Sequence, residues 1–216
     1  MKTSVLPTVA ARLRELSRRS PPSSWERCEL CRISLGPEHR HLFEMQTRRI
    51  VCACEACALR FQNAIGGRFK LIPRDVIALP ALRITEADWE TLALPINLVF
   101  IFHNSLLGKV VAMYPSPAGA TESLLPLPAW ATIVTENPAL ETMEADVQAF
   151  LANRVGSTRK YFLAPIDVCY ELVGMIRLNW RGLSGGETVW NKVEEFFAAL
   201  DARAISVTAP MEVCHA

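Results

Sequence analysis

Two cysteine pairs constrain this chain more than any other feature. They are Cys28-x2-Cys31 and Cys54-x2-Cys57, and 22 residues separate them. Two residues between cysteines let a tight turn aim both sulfurs at one tetrahedral ion, with zinc–sulfur distances near ~2.3 Å. An insert of hairpin length then returns the second pair to the same ion. The resulting C-x2-C-x22-C-x2-C string is close to the spacing of a four-thiolate zinc site. Cys28, Cys31, Cys54 and Cys57 are therefore the expected metal ligands. Cys52 offers a further sulfur two residues before Cys54 and is the alternative fourth ligand.

The segment around these cysteines has a readable order. Cys28 to Cys31 forms a first knuckle, and Gly36-Pro37 turns the chain. His39 to Met45 and Arg48 to Val51 read as a hairpin bending near Gln46-Thr47. Cys54 starts a helix whose apolar face is Ala58, Phe61 and Ile65, stopped by Gly66-Gly67. Cys57 falls in the first helical turn, where the helix N-terminus favours thiolate. Knuckle, hairpin and helix bearing the second knuckle is the order of a treble-clef zinc finger. His39 and His41 alternate along a strand and share a face, as alternate ligands, as donors to a sulfur or as part of a polar strand surface.

Four thiolates also suit a rubredoxin-like iron, and five cysteines suit an iron–sulfur cluster. Rubredoxin-type knuckles carry glycine after the second cysteine, where this chain has Arg32 and Ala58. Zinc is the preferred metal, with iron as the alternative. Zinc closed by four thiolates leaves no position for water, so the expected role is structural.

The rest of the chain reads as a mixed α+β body over 68–205. Residues 1–24 read as a flexible arm and linker, with a short basic helix through Val5, Val9, Leu13 and Leu16 as the alternative to a frayed terminus. Residues 25–67 are the cysteine-rich metal module, and 206–216 a tail. In the body, Arg68 to Ile72 reads as a strand. Thr85-Glu86-Ala87-Asp88 opens a short helix with a capping box. Ile96 to Phe102 and Lys109 to Tyr114 form a hairpin, Pro115 to Ala120 a loop, and Trp130 to Val134 a strand. Asn137-Pro138 opens a helix whose apolar face is Leu140, Met143, Val147, Phe150 and Leu151. Tyr161 to Ala164 reads as a strand, followed by helices over 166–180 and 189–200. The C-terminal third is thus expected to be mostly helical.

Charge is balanced, with 23 basic and 22 acidic residues. This argues against nucleic acid as a partner, since such affinity rests on a basic excess. The longest uncharged apolar run, Pro95 to Phe102, is too short to span a bilayer. Met1 to Ala11 lacks the apolar core of a secretory signal. An odd cysteine count at metal-like spacing points to a reducing, cytoplasmic compartment.

Outside the cluster, Cys169 stands near a helix start beside Asp167. A thiol there is a candidate nucleophile, yet its apolar surroundings favour a structural role. Ser184-Gly185-Gly186 and the Pro/Gly loop match no phosphate-binding fingerprint and read as turns. No pair of acids separates into general acid and base, so the reading leans away from an enzyme.

Four strings carry a resemblance. They are Trp25-Glu26-Arg27-Cys28-Glu29-Leu30-Cys31, the Cys52 to Cys57 cluster, Tyr114-Pro115-Ser116-Pro117-Ala118-Gly119-Ala120, and Pro165-Ile166-Asp167-Val168-Cys169-Tyr170-Glu171-Leu172-Val173-Gly174. Over about Trp25 to Arg203 the chain resembles an uncharacterised bacterial family associated with operons for oxygen-tolerant, actinobacterial-type NiFe hydrogenases. The resemblance implies an accessory role, with hydrogenase subunits or maturation factors as protein partners, and supplies no catalytic residue.

Overall fold

A computed structural model describes residues 26–62, 67–124, 126–182 and 184–206. The basic helix expected within 1–24, the Gly66 part of the helix stop and all but Ser206 of the expected tail lie outside these residues.

Among the described residues, two sheets and five α-helices make a mixed α+β fold. The small sheet has the order β2-β1-β3 and is antiparallel throughout. Its strands are β1 (Arg40–Glu44), β2 (Arg49–Ala53) and β3 (Phe69–Leu71). Helix α1 (Glu55–Phe61) follows β2 directly. Alternation along β1 divides its side chains between two cores. Leu42 packs with Val51, Ala53, Phe69 and Ala58 of α1. Its neighbour Phe43 joins the main core with Phe100, Phe102 and Leu151. One strand therefore supports the cysteine-rich segment on one face and the body on the other.

The large sheet has seven strands in the order β10-β4-β9-β8-β5-β6-β7. They are β4 (Ile77–Ala78), β5 (Leu98–Asn104), β6 (Lys109–Ser116), β7 (Gly119–Ser123), β8 (Gln148–Asn153), β9 (Lys160–Pro165) and β10 (Ile205–Ser206). Among the described residues the β10–β4 pair is parallel and the other pairs of this sheet are antiparallel. Helices cover both faces. On one side α4 (Ile166–Asn179) and α5 (Glu187–Arg203) bring Leu172, Ile176, Val193 and Phe197 against Phe100, Leu151 and Phe162. On the other, α2 (Glu86–Thr91) and α3 (Leu127–Glu136) bring Trp89, Trp130 and Ile133 against Ile101, Phe150 and Leu163. Successive residues of β5 and β8 alternate between these two cores, so their whole lengths are nearly apolar.

The capping box expected at Thr85 is present: the Thr85 hydroxyl accepts from Asp88 N at 3.1 Å, and Thr85 N donates to the Asp88 carboxylate at 2.9 Å. Helix α4 buries Ile166, Cys169, Leu172 and Val173 but leaves Leu178 exposed, so its apolar circumference is only partly covered.

Four local expectations are corrected. Trp130 to Val134 is helix: α3 has Pro128 in its first turn, and Trp130 and Ile133, three residues apart, share the face turned to the sheet. The helix expected from Leu140 to Leu151 is instead a 3₁₀ turn at Pro138–Thr142 followed by β8. The described part of the C-terminal third accordingly holds strands β8, β9 and β10 beside its two long helices. Asn137 does not cap a helix start; its amide bridges Arg83 and the Ile133 carbonyl, closing the end of α3. Pro115 to Ala120 is the end of the β6–β7 hairpin, with Pro115 opposite Ala120 and the turn at Pro117-Ala118.

Candidate metal centre

The first knuckle is fixed from the backbone outward. Arg32 N donates to Cys28 O at 2.8 Å, and Cys28 N donates to Ile33 O at 2.9 Å. Arg32 closes the turn with φ of 67°, the left-handed conformation that a glycine takes without steric cost. The chain thus makes the glycine-type turn without the glycine. Glu29 then pins this knuckle to β2. Its backbone N donates to Cys52 O at 2.9 Å, while its carboxylate accepts from Cys52 N at 3.0 Å and from Arg49 at 3.1 Å.

The second knuckle is the start of α1. Cys54 is the N-cap, and its sulfur accepts from Cys57 N at 3.4 Å. A sulfur in the capping position takes up an amide of the first turn that has no partner within the helix. Arg40 reaches across from β1 to clamp Glu55 with contacts of 3.0–3.2 Å, holding the helix start against the hairpin.

These two knuckles bring four sulfurs together. The Sγ atoms of Cys28, Cys31, Cys54 and Cys57 all lie within 4.8 Å of one another, with Cys31 and Cys54 at 3.7 Å. A tetrahedral ion with metal–sulfur bonds near ~2.3 Å has sulfur–sulfur edges of about 3.8 Å. The cluster needs to contract by at most about an ångström to meet that geometry. Cys28 lies at the buried end and Cys31 at the exposed end. A metal ion fits this donor set.

Protonation across the four thiols is uneven. Burial opposes ionisation of Cys28, but amides from Cys54, Cys31 and Leu30 outweigh it and lower its pKa to about 6. Burial and the neighbouring sulfurs push Cys57 well up. Four thiolates are too crowded to ionise together without a cation, so metal loading releases protons.

Cys52 is not part of this group. Together with His39 and His41 it forms a second, separate group of three whose ligand atoms are also within 4.8 Å of one another. Burial, and the charges of Glu26 and Glu29, raise the Cys52 thiol. The His41 Nδ1 lies 2.6 Å from Asp167 Oδ2, linking β1 to the first turn of α4. Cys169 is fully buried in the main core, and burial pushes its thiol well up.

A family model described as a family of unknown function (DUF5947) matches residues 27–204. The chain belongs to that family. The matched span takes in the five cysteines Cys28, Cys31, Cys52, Cys54 and Cys57 and strands β1 to β9. No curated protein and no solved structure matches the chain. Among the described residues no helix is long and apolar enough to cross a membrane.

The four clustered cysteines were visible in the sequence through their spacing. Their supports were not. Arg40 lies at no motif position, and only tertiary pairing shows that it holds the start of α1 through Glu55. Glu29 alone had a signal, since it lies inside the first knuckle.

Proposed function

We propose that this protein is a cytoplasmic, metal-binding accessory protein in which Cys28, Cys31, Cys54 and Cys57 hold a structural zinc ion. The observation that carries the reading is the convergence of four sulfurs from two knuckles within 4.8 Å. With all four positions taken by sulfur, the ion has no site for water and does not activate one. Its work is to fix the knuckle and α1 on the hairpin. The order knuckle, hairpin and helix supports a treble-clef description of residues 25–67, with the body over 68–205 presenting a surface to a protein partner. Resemblance of the chain to a family associated with NiFe hydrogenase operons makes hydrogenase subunits or their maturation factors the proposed partners.

The metal is tested by elemental analysis of purified protein. Zinc is expected, and Cys28→Ala with Cys57→Ala together should lower it by about one ion per chain. Unchanged content removes the ligand assignment. A coloured protein whose absorption bleaches on reduction would replace zinc with iron and the structural role with electron transfer. The partner is tested by affinity purification from cells expressing the hydrogenase: recovery of hydrogenase or maturation proteins with the wild type is expected, and their absence removes that assignment while leaving the metal site standing.

A further inference from the structure

We propose that His39, His41 and Cys52 form a second metal site, distinct from the four-thiolate cluster, in which two imidazoles and one thiolate hold a zinc-like transition ion with a coordination position left open. His41 and Cys52 are directly opposed across the β1–β2 pair, and His39 lies two residues before His41. His39 lies just outside β1, and its ring meets that of His41 on the same side of the strand. The ligand atoms of the three side chains are mutually within 4.8 Å.

Both imidazoles are already oriented as metal ligands are. His39 Nδ1 lies 3.0 Å from the Gly36 carbonyl, and His41 Nδ1 lies 2.6 Å from Asp167 Oδ2. A ligating histidine characteristically gives its other ring N–H to a backbone carbonyl or a carboxylate, which fixes the tautomer and leaves a lone pair on Nε2. One histidine here has each kind of partner. The rings stand edge to face, with centroids 4.8 Å apart and planes at 81°.

An independent observation points to a ligand. The His39 side chain is only 6% exposed, yet its Nε2 makes no hydrogen bond among the described residues. A buried ring nitrogen without a partner forfeits the solvation it had in water. Glu26 Oε2 comes to 3.4 Å of it without forming a hydrogen bond, so a carboxylate stands beside the atom without satisfying it. A cation bound to Nε2 resolves both facts: it takes the lone pair and faces the carboxylate.

The donor set indicates the kind of ion. Imidazole suits zinc and its neighbours in the first transition row, thiolate favours the softer members, and three protein ligands with one free position is the arrangement of catalytic rather than structural zinc. The four-thiolate site is closed to solvent ligands. This second site is the one at which water or a small anion reaches the metal.

The experiment uses tag-free, full-length protein equilibrated with micromolar zinc and then dialysed. The wild type should carry about two zinc ions per chain, and its zinc X-ray absorption should show nitrogen at ~2.0–2.1 Å beside sulfur at ~2.3 Å. His39→Gln and Cys52→Ser should each lower the content to about one and leave a shell of sulfur alone. One ion per chain with only sulfur around it overturns this site while leaving the four-thiolate site intact. A single ion with a mixed shell overturns it too, because the histidines would then belong to the first site. Unchanged stoichiometry in both variants has the same meaning. If either variant loses the fold, the wild-type stoichiometry and spectrum decide.

Discussion

Lys70 Nζ meets Asp146 Oδ2 at 2.7 Å, joining β3 of the small sheet to the turn that leads into β8 of the large one. The Asp146 carboxylate is fully buried. It also accepts from Ser105 N at 2.9 Å and Ser105 Oγ at 2.5 Å, with Arg48 Nη1 at 3.5 Å. Burial alone would raise its pKa, but Lys70 and Ser105 outweigh burial and lower it. A lowered folded-state value means that the unfolded chain binds the proton more tightly. Its contribution to stability is present above the ordinary aspartate range, near pH ~4, and is lost as pH falls through the folded value. Lys70→Met removes the principal cation, so the folded value rises and acid unfolding should move to higher pH. The variant should also lose about 1–3 kcal/mol at neutral pH. Acid and urea unfolding followed by circular dichroism check both; an unmoved acid midpoint would show that Asp146 does not tie the sheets together.

Arg32 should be improvable. An L-residue in the left-handed region costs about 1–2 kcal/mol, and Arg32 stands there with φ of 67°. Glycine removes the steric cost but adds freedom to the unfolded chain. Arg32→Gly is expected to stabilise the metal-loaded protein by about 0.5–1 kcal/mol net. Denaturant midpoints of the two proteins measure it, and a destabilised glycine variant would mean that the left-handed turn is absent in solution.

How far the fold could be read from the chain depended on whether one face of each element was wet. The β1–β2 hairpin, the Thr85 capping box and the β5–β6 hairpin were legible because turn residues and β-branched runs mark them locally. Gln148 to Asn153 was not. Every residue of β8 is buried, because helices cover both faces of the large sheet. With no polar face there is no period of two, and Leu140, Met143, Val147 and Leu151 mimic a helix by accident of spacing. Asp146, with φ of 71°, breaks the chain where that helix would have continued. In α3 the opposite holds: a run of Trp, Ile and Val has the composition of a strand, and Pro128 in the first turn is the local sign of a helix start. The four-sulfur site was legible because its spacing is itself geometry. The His39, His41 and Cys52 group needed the strand register to become visible.

Removing metal should act locally. The small core of Leu42, Val51, Ala53, Ala58 and Phe69 is modest, whereas β8 and β5 are buried between two helical layers. A segment with so few apolar contacts opens at lower free energy than the body. Chelation should therefore expose the amides of 27–35 and 54–62 to hydrogen exchange within minutes, while those of 148–153 stay protected for far longer. Equal loss of protection in both places would show that the metal holds the whole chain rather than its N-terminal part.

Cys169 is expected to behave as a core side chain. It is 0% exposed among Leu172, Val173 and Phe100, and burial together with the charge of Asp167 holds its thiol well above the ordinary range. Neutral thiols react slowly, and a buried one must wait for the fold to open. In folded, metal-free protein a maleimide should label exposed Cys31 readily and leave Cys169 untouched until denaturant is added. Serine in its place keeps the volume nearly constant but buries a hydroxyl. In a helix that hydroxyl bonds back to a carbonyl one turn earlier, so Cys169→Ser should cost only about 1–2 kcal/mol. A nucleophile would give the reverse pattern: fast labelling in the folded state and little loss of stability on substitution. Mass spectrometry of the labelled peptides, with urea unfolding of the serine variant, separates the two.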